Sequence, residues 1–285
     1  VPVSIARRTL LAVPLLSLPA FADDAAASLR ALEQRHGGRL GVAMLDTAGG
    51  RRVAYRGDER FPMCSTFKFL ATALMLARVD RGEERLDRRI VFSKSDLVTY
   101  SPATSEYAGP AGMTVEAICA AAMTLSDNTA GNLMLASFGG PEGLTAFVRT
   151  LGDPVTRLDR IETALNEGTP GDPRDTTSPL AMLGTMQKLV AGDALSAASR
   201  ESLIGWLVAN KTGDKRLRAG MPASWRVGDK TGTGGNGSAN DIAVAWPPGR
   251  APVFVTVYYT GSTISDEARS AVIAEAGRIA TAALA

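Results

Sequence analysis

Residues 62–77 read Pro-Met-Cys-Ser-Thr-Phe-Lys-Phe-Leu-Ala-Thr-Ala-Leu-Met-Leu-Ala. From Phe69 to Ala77 the stretch is apolar nearly all round, so the helix it predicts is buried rather than amphipathic. Its head nevertheless carries Ser65 and Lys68, neighbours on one helical face. A polar pair at the head of a buried helix needs a chemical reason. A serine is a poor nucleophile until a base takes its proton, and a lysine withdrawn from water can do so because its pKa falls. The first turn adds backbone N–H groups and a partial positive charge that favour an oxyanion. Ser65-Thr66-Phe67-Lys68 is also the sole Ser-x-x-Lys in the chain.

On the N-terminal side, Ala25 to His36 predicts a helix stopped by Gly37-Gly38. Arg39 to Asp46 alternates apolar and polar residues, Ala48-Gly49-Gly50 turns, and Arg51 to Tyr55 returns: a hairpin. On the other side, helices punctuated by Gly and Pro run from Pro62 to about Asn210, with Pro141 and Pro179 suited to first helical turns. Strands come back at Trp225 to Asp229, Asp241 to Trp246 and Val253 to Tyr259, before a last helix from Asp266. Strands at both ends around a helical insert predict one sheet-bearing lobe and one all-α lobe, with a groove between them.

Composition narrows the chemistry. Of the 285 residues, 45% are apolar and 21% charged, which fits a folded globular chain and not a disordered one. A net charge of +2 gives no basis for a nucleic-acid partner. His36 is the sole histidine, which excludes a multi-histidine zinc site, and it ends a polar helix as a surface residue, a poor place for the base of a Ser-His-Asp triad. Arg7-Arg8, the apolar run Leu10 to Pro19 and the Ala20-Phe21-Ala22 site read as an export signal cleaved after Ala22. The apolar run is too short to span a bilayer, and the arginine pair also suits twin-arginine export.

Two further motifs carry chemistry. Ser126-Asp127-Asn128 falls between two predicted helices; its hydroxyl could shuttle a proton to a leaving nitrogen, and Asn128 could bind a substrate amide. Taken alone, it reads as an interhelical turn of capping residues. Lys230-Thr231-Gly232-Thr233-Gly234 follows the strand Trp225 to Asp229 and offers an ammonium and hydroxyls to a carboxylate, with Gly232 leaving room for a ligand. A second Lys-Thr-Gly, at Lys211-Thr212-Gly213, has no strand before it and is set aside.

Ser-x-x-Lys, Ser-Asp-Asn and Lys-Thr-Gly in this order resemble the penicillin-recognising serine enzymes, class A β-lactamases and penicillin-binding proteins. The resemblance covers essentially the whole mature chain. It implies an α/β (α+β) fold: a five-stranded antiparallel sheet lobe flanked by N- and C-terminal helices, and an all-α lobe. The expected division is a signal at 1–22, a sheet lobe of 23–60 plus 211–285, and an α lobe of 61–210.

A fourth motif points to the β-lactamase branch. Glu162-Thr163-Ala164-Leu165-Asn166 lies in a loop, 157–175, that resembles the family's omega loop, whose Glu and Asn hold the deacylating water. Arg160 and Asp175 match the ion pair at that loop's neck. The resemblance further implies an oxyanion hole from the N–H groups of Ser65 and Thr233, and Tyr100 as an aromatic rim. Where many members carry a carboxylate-binding Arg, this chain has Ala239; Arg216 matches an alternative position, with Arg218 as second choice.

The expected reaction opens a β-lactam ring on Ser65, with Lys68 or a Glu162-bound water as base and Ser126 protonating the nitrogen; Glu162 and Asn166 then direct hydrolysis. The rivals are a DD-peptidase acting on peptidoglycan and a non-catalytic β-lactam sensor. No metal or organic cofactor, nucleic acid or stable membrane insertion is implied, and the expected product is a periplasmic or secreted monomer. Cys119 resembles a position whose partner would fall at Thr72, so both it and Cys64 are expected as free thiols despite an oxidising compartment.

Overall fold

The computed structural model describes residues 19–284; residues 1–18 of the expected export signal lie outside the described residues. In chain order the first elements are α1 (Pro19–His36), β1 (Arg39–Asp46), β2 (Arg52–Tyr55), β3 (Phe61–Pro62) and α2 (Phe67–Asp80). Then come β4 (Arg89–Phe92), β5 (Gly109–Thr114), α3 (Val115–Thr124), α4 (Asn128–Ser137), α5 (Gly140–Thr150) and β6 (Thr176–Thr177). The remainder is α6 (Pro179–Val190), α7 (Ala197–Val208), α8 (Leu217–Gly220), β7 (Arg226–Gly234), β8 (Ser238–Trp246), β9 (Val253–Thr260) and α9 (Asp266–Thr281).

Five strands form one antiparallel sheet in the order β2-β1-β9-β8-β7, so the first hairpin meets the last strand of the chain. Alternation in Arg39 to Asp46 would ordinarily leave one face wet. Instead β1 is buried from Leu40 to Asp46, because α1 and α9 cover one face of the sheet and α6 covers the other. The first core joins Leu29 and Leu32 of α1, Val272 and Ile273 of α9, and the sheet residues Val42 and Val257. The second core lies on the opposite face, where α2 packs among Ile118, Met134, Leu183 and Phe254.

Every α2 residue from Phe67 to Ala77 is buried. Each large apolar side chain there contributes about 1.5–3 kcal/mol on leaving water, so packing, not capping, holds this helix. Pro141 and Pro179 occupy first helical turns, as their missing N–H allows.

Two readings need correction. The segment from Pro62 to Asn210 is not helical throughout: β4 pairs with β5, and β3 with β6. The β5 residues Gly-Pro-Ala-Gly-Met-Thr have little strand propensity, so their pairing comes from tertiary context. The strand before Lys230 does not stop there either. β7 runs on through the motif to Gly234, because β8 hydrogen-bonds along its whole length. Among the described residues no helix is long and apolar enough to cross a membrane.

Candidate active site

Ser65 sits in a single 3-10 turn, Cys64–Thr66, that leads directly into α2. Lys68 is therefore the second residue of α2, and its Nζ donates to Ser65 Oγ at 2.8 Å. The same ammonium donates to the Ser126 carbonyl at 3.0 Å and to Asn128 Oδ1 at 2.7 Å, and pairs with Glu162 Oε1 at 2.7 Å. Both side chains of that ion pair are fully buried. Burial lowers the Lys68 pKa, and the opposing Glu162 carboxylate does not fully offset it. An amine so placed can both hold and accept a proton at Ser65.

Glu162 reaches the same serine oxygen beside Lys68. Ser65 Oγ donates to Glu162 Oε1 at 3.3 Å, while Asn166 Nδ2 donates to Glu162 Oε2. Asn166 Oδ1 is buried and without a hydrogen-bond partner among the described residues. The loop is tied at its neck by Arg160, which pairs with Asp175 at 2.6 Å. Asp175 also accepts the backbone N–H groups of Asp159 and Arg160.

The third wall is β7. Lys230 is fully buried and donates to Ser126 Oγ and to the Thr231 carbonyl, each at 2.9 Å. Desolvation, with the nearby Lys68 charge adding to it, pushes the Lys230 ammonium down to about 7. Gly232 lines the cavity and also serves the packing behind it. A Cβ there would fall 2.8 Å from the Met63 carbonyl, so the glycine lets β7 close on the Ser65 segment.

Arg216 stands beside this strand, donating to the carbonyls of Gly232 (2.8 Å) and Asn240 (2.7 Å) and to Thr233 Oγ1 (2.7 Å). Arg218 points elsewhere, into an ion pair with the buried Asp229. Ala239 pairs with Thr233 in the sheet and packs into the first core.

Ser65, Ser126, Asn128, Thr231, Thr233 and Arg216 line one cavity of about 350 Å³, with Tyr100, 57% exposed, at its edge. Cys64, Tyr100 and Ser126 all take positive φ (46°, 65° and 59°), a costly conformation for non-glycine residues that concentrates at functional sites. A wider open groove of about 930 Å³ beside Arg78 and Val91 contains no nucleophile–base pair. Among the described residues no cluster of His, Cys, Asp and Glu is placed to hold a metal ion.

Sequence reasoning missed two residues of this region. Asn132 on α4 donates Nδ2 to the Glu162 carbonyl at 2.9 Å and accepts the Glu162 N–H at 2.8 Å. Its position one helical turn after Asn128 is the sole sequence signal for it. Thr212, in the Lys-Thr-Gly that no strand precedes, lines the cavity beside Thr231. The absence of a preceding strand did not matter, because the loop is brought to β7 by α7.

Comparison with known proteins covers nearly all of the described residues. A profile described as the Beta-lactamase enzyme family matches residues 24–284. The chain is 48% identical over 277 residues to Beta-lactamase OXY-1 of Klebsiella oxytoca, covering 96% of this chain and 95% of that protein. It is 53% identical over 253 residues to Beta-lactamase AST-1 of Nocardia asteroides, covering 89% and 81% respectively. Among solved structures, an ancestral class A β-lactamase superimposes with a TM-score of 0.89 at 67% identity, covering 91% of this chain and 99% of that one. A structure described as the putative class A β-lactamase PenP from Rhodopseudomonas palustris gives 0.90 at 62% identity, covering 92% and 100%.

Proposed function

The chain belongs to the class A β-lactamases of the Beta-lactamase enzyme family, and from that premise we propose how its residues divide the work of the reaction. It hydrolyses the β-lactam ring of antibiotics. The observation that carries the assignment of roles is the meeting of Lys68 and Glu162 on one serine oxygen, at 2.8 and 3.3 Å.

Ser65 Oγ attacks the lactam carbonyl carbon while its proton passes to Lys68, or through a water to Glu162; both bases are in reach. The developing oxyanion faces the backbone N–H groups of Ser65 and Thr233. The C–N bond then breaks, and Ser126 gives its proton to the leaving nitrogen. Ser126 can do so because its oxygen already accepts from the Lys230 ammonium. Arg216, Thr231 and Thr233 bind the substrate carboxylate, and Asn128 binds the side-chain amide. In the second half, Glu162 removes a proton from a water that adds to the ester carbonyl, and Ser65 leaves as the alcohol. Asn166 Oδ1, free of protein partners among the described residues, is placed to accept from that water. We further propose that the mature enzyme begins near Asp23 and acts outside the cytoplasm, on the strength of the signal-like residues 1–22.

The test is Glu162→Ala. Ser65, Lys68 and the oxyanion donors remain, so acylation continues, while loss of the general base slows hydrolysis about 10²–10⁴-fold. Intact mass spectrometry should show a persistent penicillin adduct, mapped to Ser65, while the wild type returns to its free mass. Normal turnover by Glu162→Ala overturns the role given to this loop. A wild type that stays acylated would instead support a peptidase or sensor.

A further inference from the structure

The loop Lys211-Thr212-Gly213 faces the strand segment Lys230-Thr231-Gly232, and the two threonine hydroxyls are 2.5 Å apart. Gly213 makes the approach possible: a Cβ there would fall 1.9 Å from Asp229 Oδ2. The question is which hydroxyl donates. Asn210 decides it. Its Nδ2 donates to Asp229 Oδ2 at 2.6 Å; burial raises the Asp229 pKa, while the paired Arg218 guanidinium opposes that rise and favours the carboxylate, which accepts from both. The amide is thereby oriented with Oδ1 toward Thr212, where it receives the Thr212 N–H at 3.1 Å and the Thr212 hydroxyl at 2.9 Å. An amide oxygen only accepts, so the Thr212 hydrogen is committed to Asn210, and Thr212 Oγ1 accepts from Thr231. The chain Arg218, Asp229, Asn210, Thr212, Thr231 is one directed run of hydrogen bonds that ends at the cavity.

We infer that Thr212 is a positioning residue that sets the direction of the Thr231 hydroxyl and so tunes how the cavity receives the substrate carboxylate. Without substrate, Thr231 donates away from the cavity, to Thr212. An arriving carboxylate needs that hydrogen. When Thr231 turns to donate to it, Thr212 can turn in step and donate to the vacated Thr231 oxygen. Asn210 Oδ1 keeps the Thr212 N–H, so no buried group is left unpaired. A hydroxyl that receives one hydrogen bond donates a stronger one, which favours the bound arrangement. No bond to carbon is made or broken; two hydroxyl rotors move together.

This inference rests on the β-lactamase reading, with the carboxylate bound at Arg216, Thr231 and Thr233. Thr212→Val keeps the shape and the backbone N–H but removes the hydroxyl; Thr212→Ala is measured beside it in case the valine misfolds. For a penicillin with a free carboxylate, KM should rise about three- to tenfold with kcat little changed, the size expected for one lost hydrogen bond. The penicillin methyl ester should be affected less, and Thr212→Ser should regain wild-type KM. On a Thr231→Val background, removing the Thr212 hydroxyl should add nothing. Unchanged KM, an equal effect on acid and ester, or additivity with Thr231→Val overturns the inference. Failure of the wild type to hydrolyse the penicillin at all would instead overturn the functional reading beneath it.

Discussion

Arg216 and Arg218 are two residues apart and meet different demands. Arg218 donates to the carbonyls of Leu207 and Val208 as well as to Asp229, whose carboxylate is wholly buried. Its removal would leave that charge with Asn210 as its remaining side-chain partner. Arg218→Ala should therefore cost about 3–5 kcal/mol of stability, read as a lower midpoint in urea unfolding. Arg216 is held by two strand carbonyls and a hydroxyl, with no ion-paired carboxylate among the described residues. Burial lowers its pKa, yet it remains the cation that faces Thr233. Arg216→Ala should lower the unfolding midpoint less than Arg218→Ala, since it loses hydrogen bonds to neutral acceptors and no ion pair, and raise KM for carboxylate-bearing substrates; the reverse pattern in the two variants would exchange their roles. At this scale the sequence was legible where a motif names its own residues, as with Ser65, Lys68 and Glu162. It was silent on Thr212, because its partner Thr231 is brought to it by the sheet and not by spacing.

The omega loop shows what an element contributes beyond its side chains. Arg160 and Asp175 close its neck, and both were readable as a pair from the resemblance. Its middle is fixed by Asn132, which takes both backbone groups of Glu162 from a helix thirty residues earlier. Its place one helical turn after Asn128 is a weak mark, since an asparagine inside a helix more often faces solvent. Asn132→Ala should free the Glu162 backbone and cost two hydrogen bonds, each worth about 0.5–1.5 kcal/mol. Deacylation should fall about tenfold or more while the acylation rate is largely kept, as stopped-flow measurement of the two phases would show. Equal losses in both phases would place Asn132 in general packing. The same limit explains the β4–β5 hairpin, whose pairing a Gly- and Pro-containing strand does not advertise.

Across the whole molecule, both cysteines are buried free thiols, Cys119 within the second core and Cys64 in the turn that leads into α2. Cys119 Sγ and Thr72 Oγ1 both contact Met134 Sδ, at 3.8 and 3.6 Å, so a thioether fills the space beside the lone thiol. Burial raises the pKa of both thiols, that of Cys64 to about 12, which leaves almost no thiolate at neutral pH. A thiol reagent should find essentially nothing in the native protein and two equivalents after denaturation; none after denaturation would mean a disulfide. The division into a sheet built from both ends and helices between was legible from the order of strand and helix patterns. The strand order was not, because nothing local tells β1 that its neighbour is β9. That neighbour has a consequence in time. Arg39 pairs with Thr260, so a growing chain carries the first hairpin with one edge open until nearly all of it has been synthesised. The sheet closes late, by joining two segments that begin far apart on the chain, and such closures are slow. Until then β1 offers an unpaired apolar edge to any neighbouring chain. The sheet therefore lacks its central strand pair until Thr260 has been made.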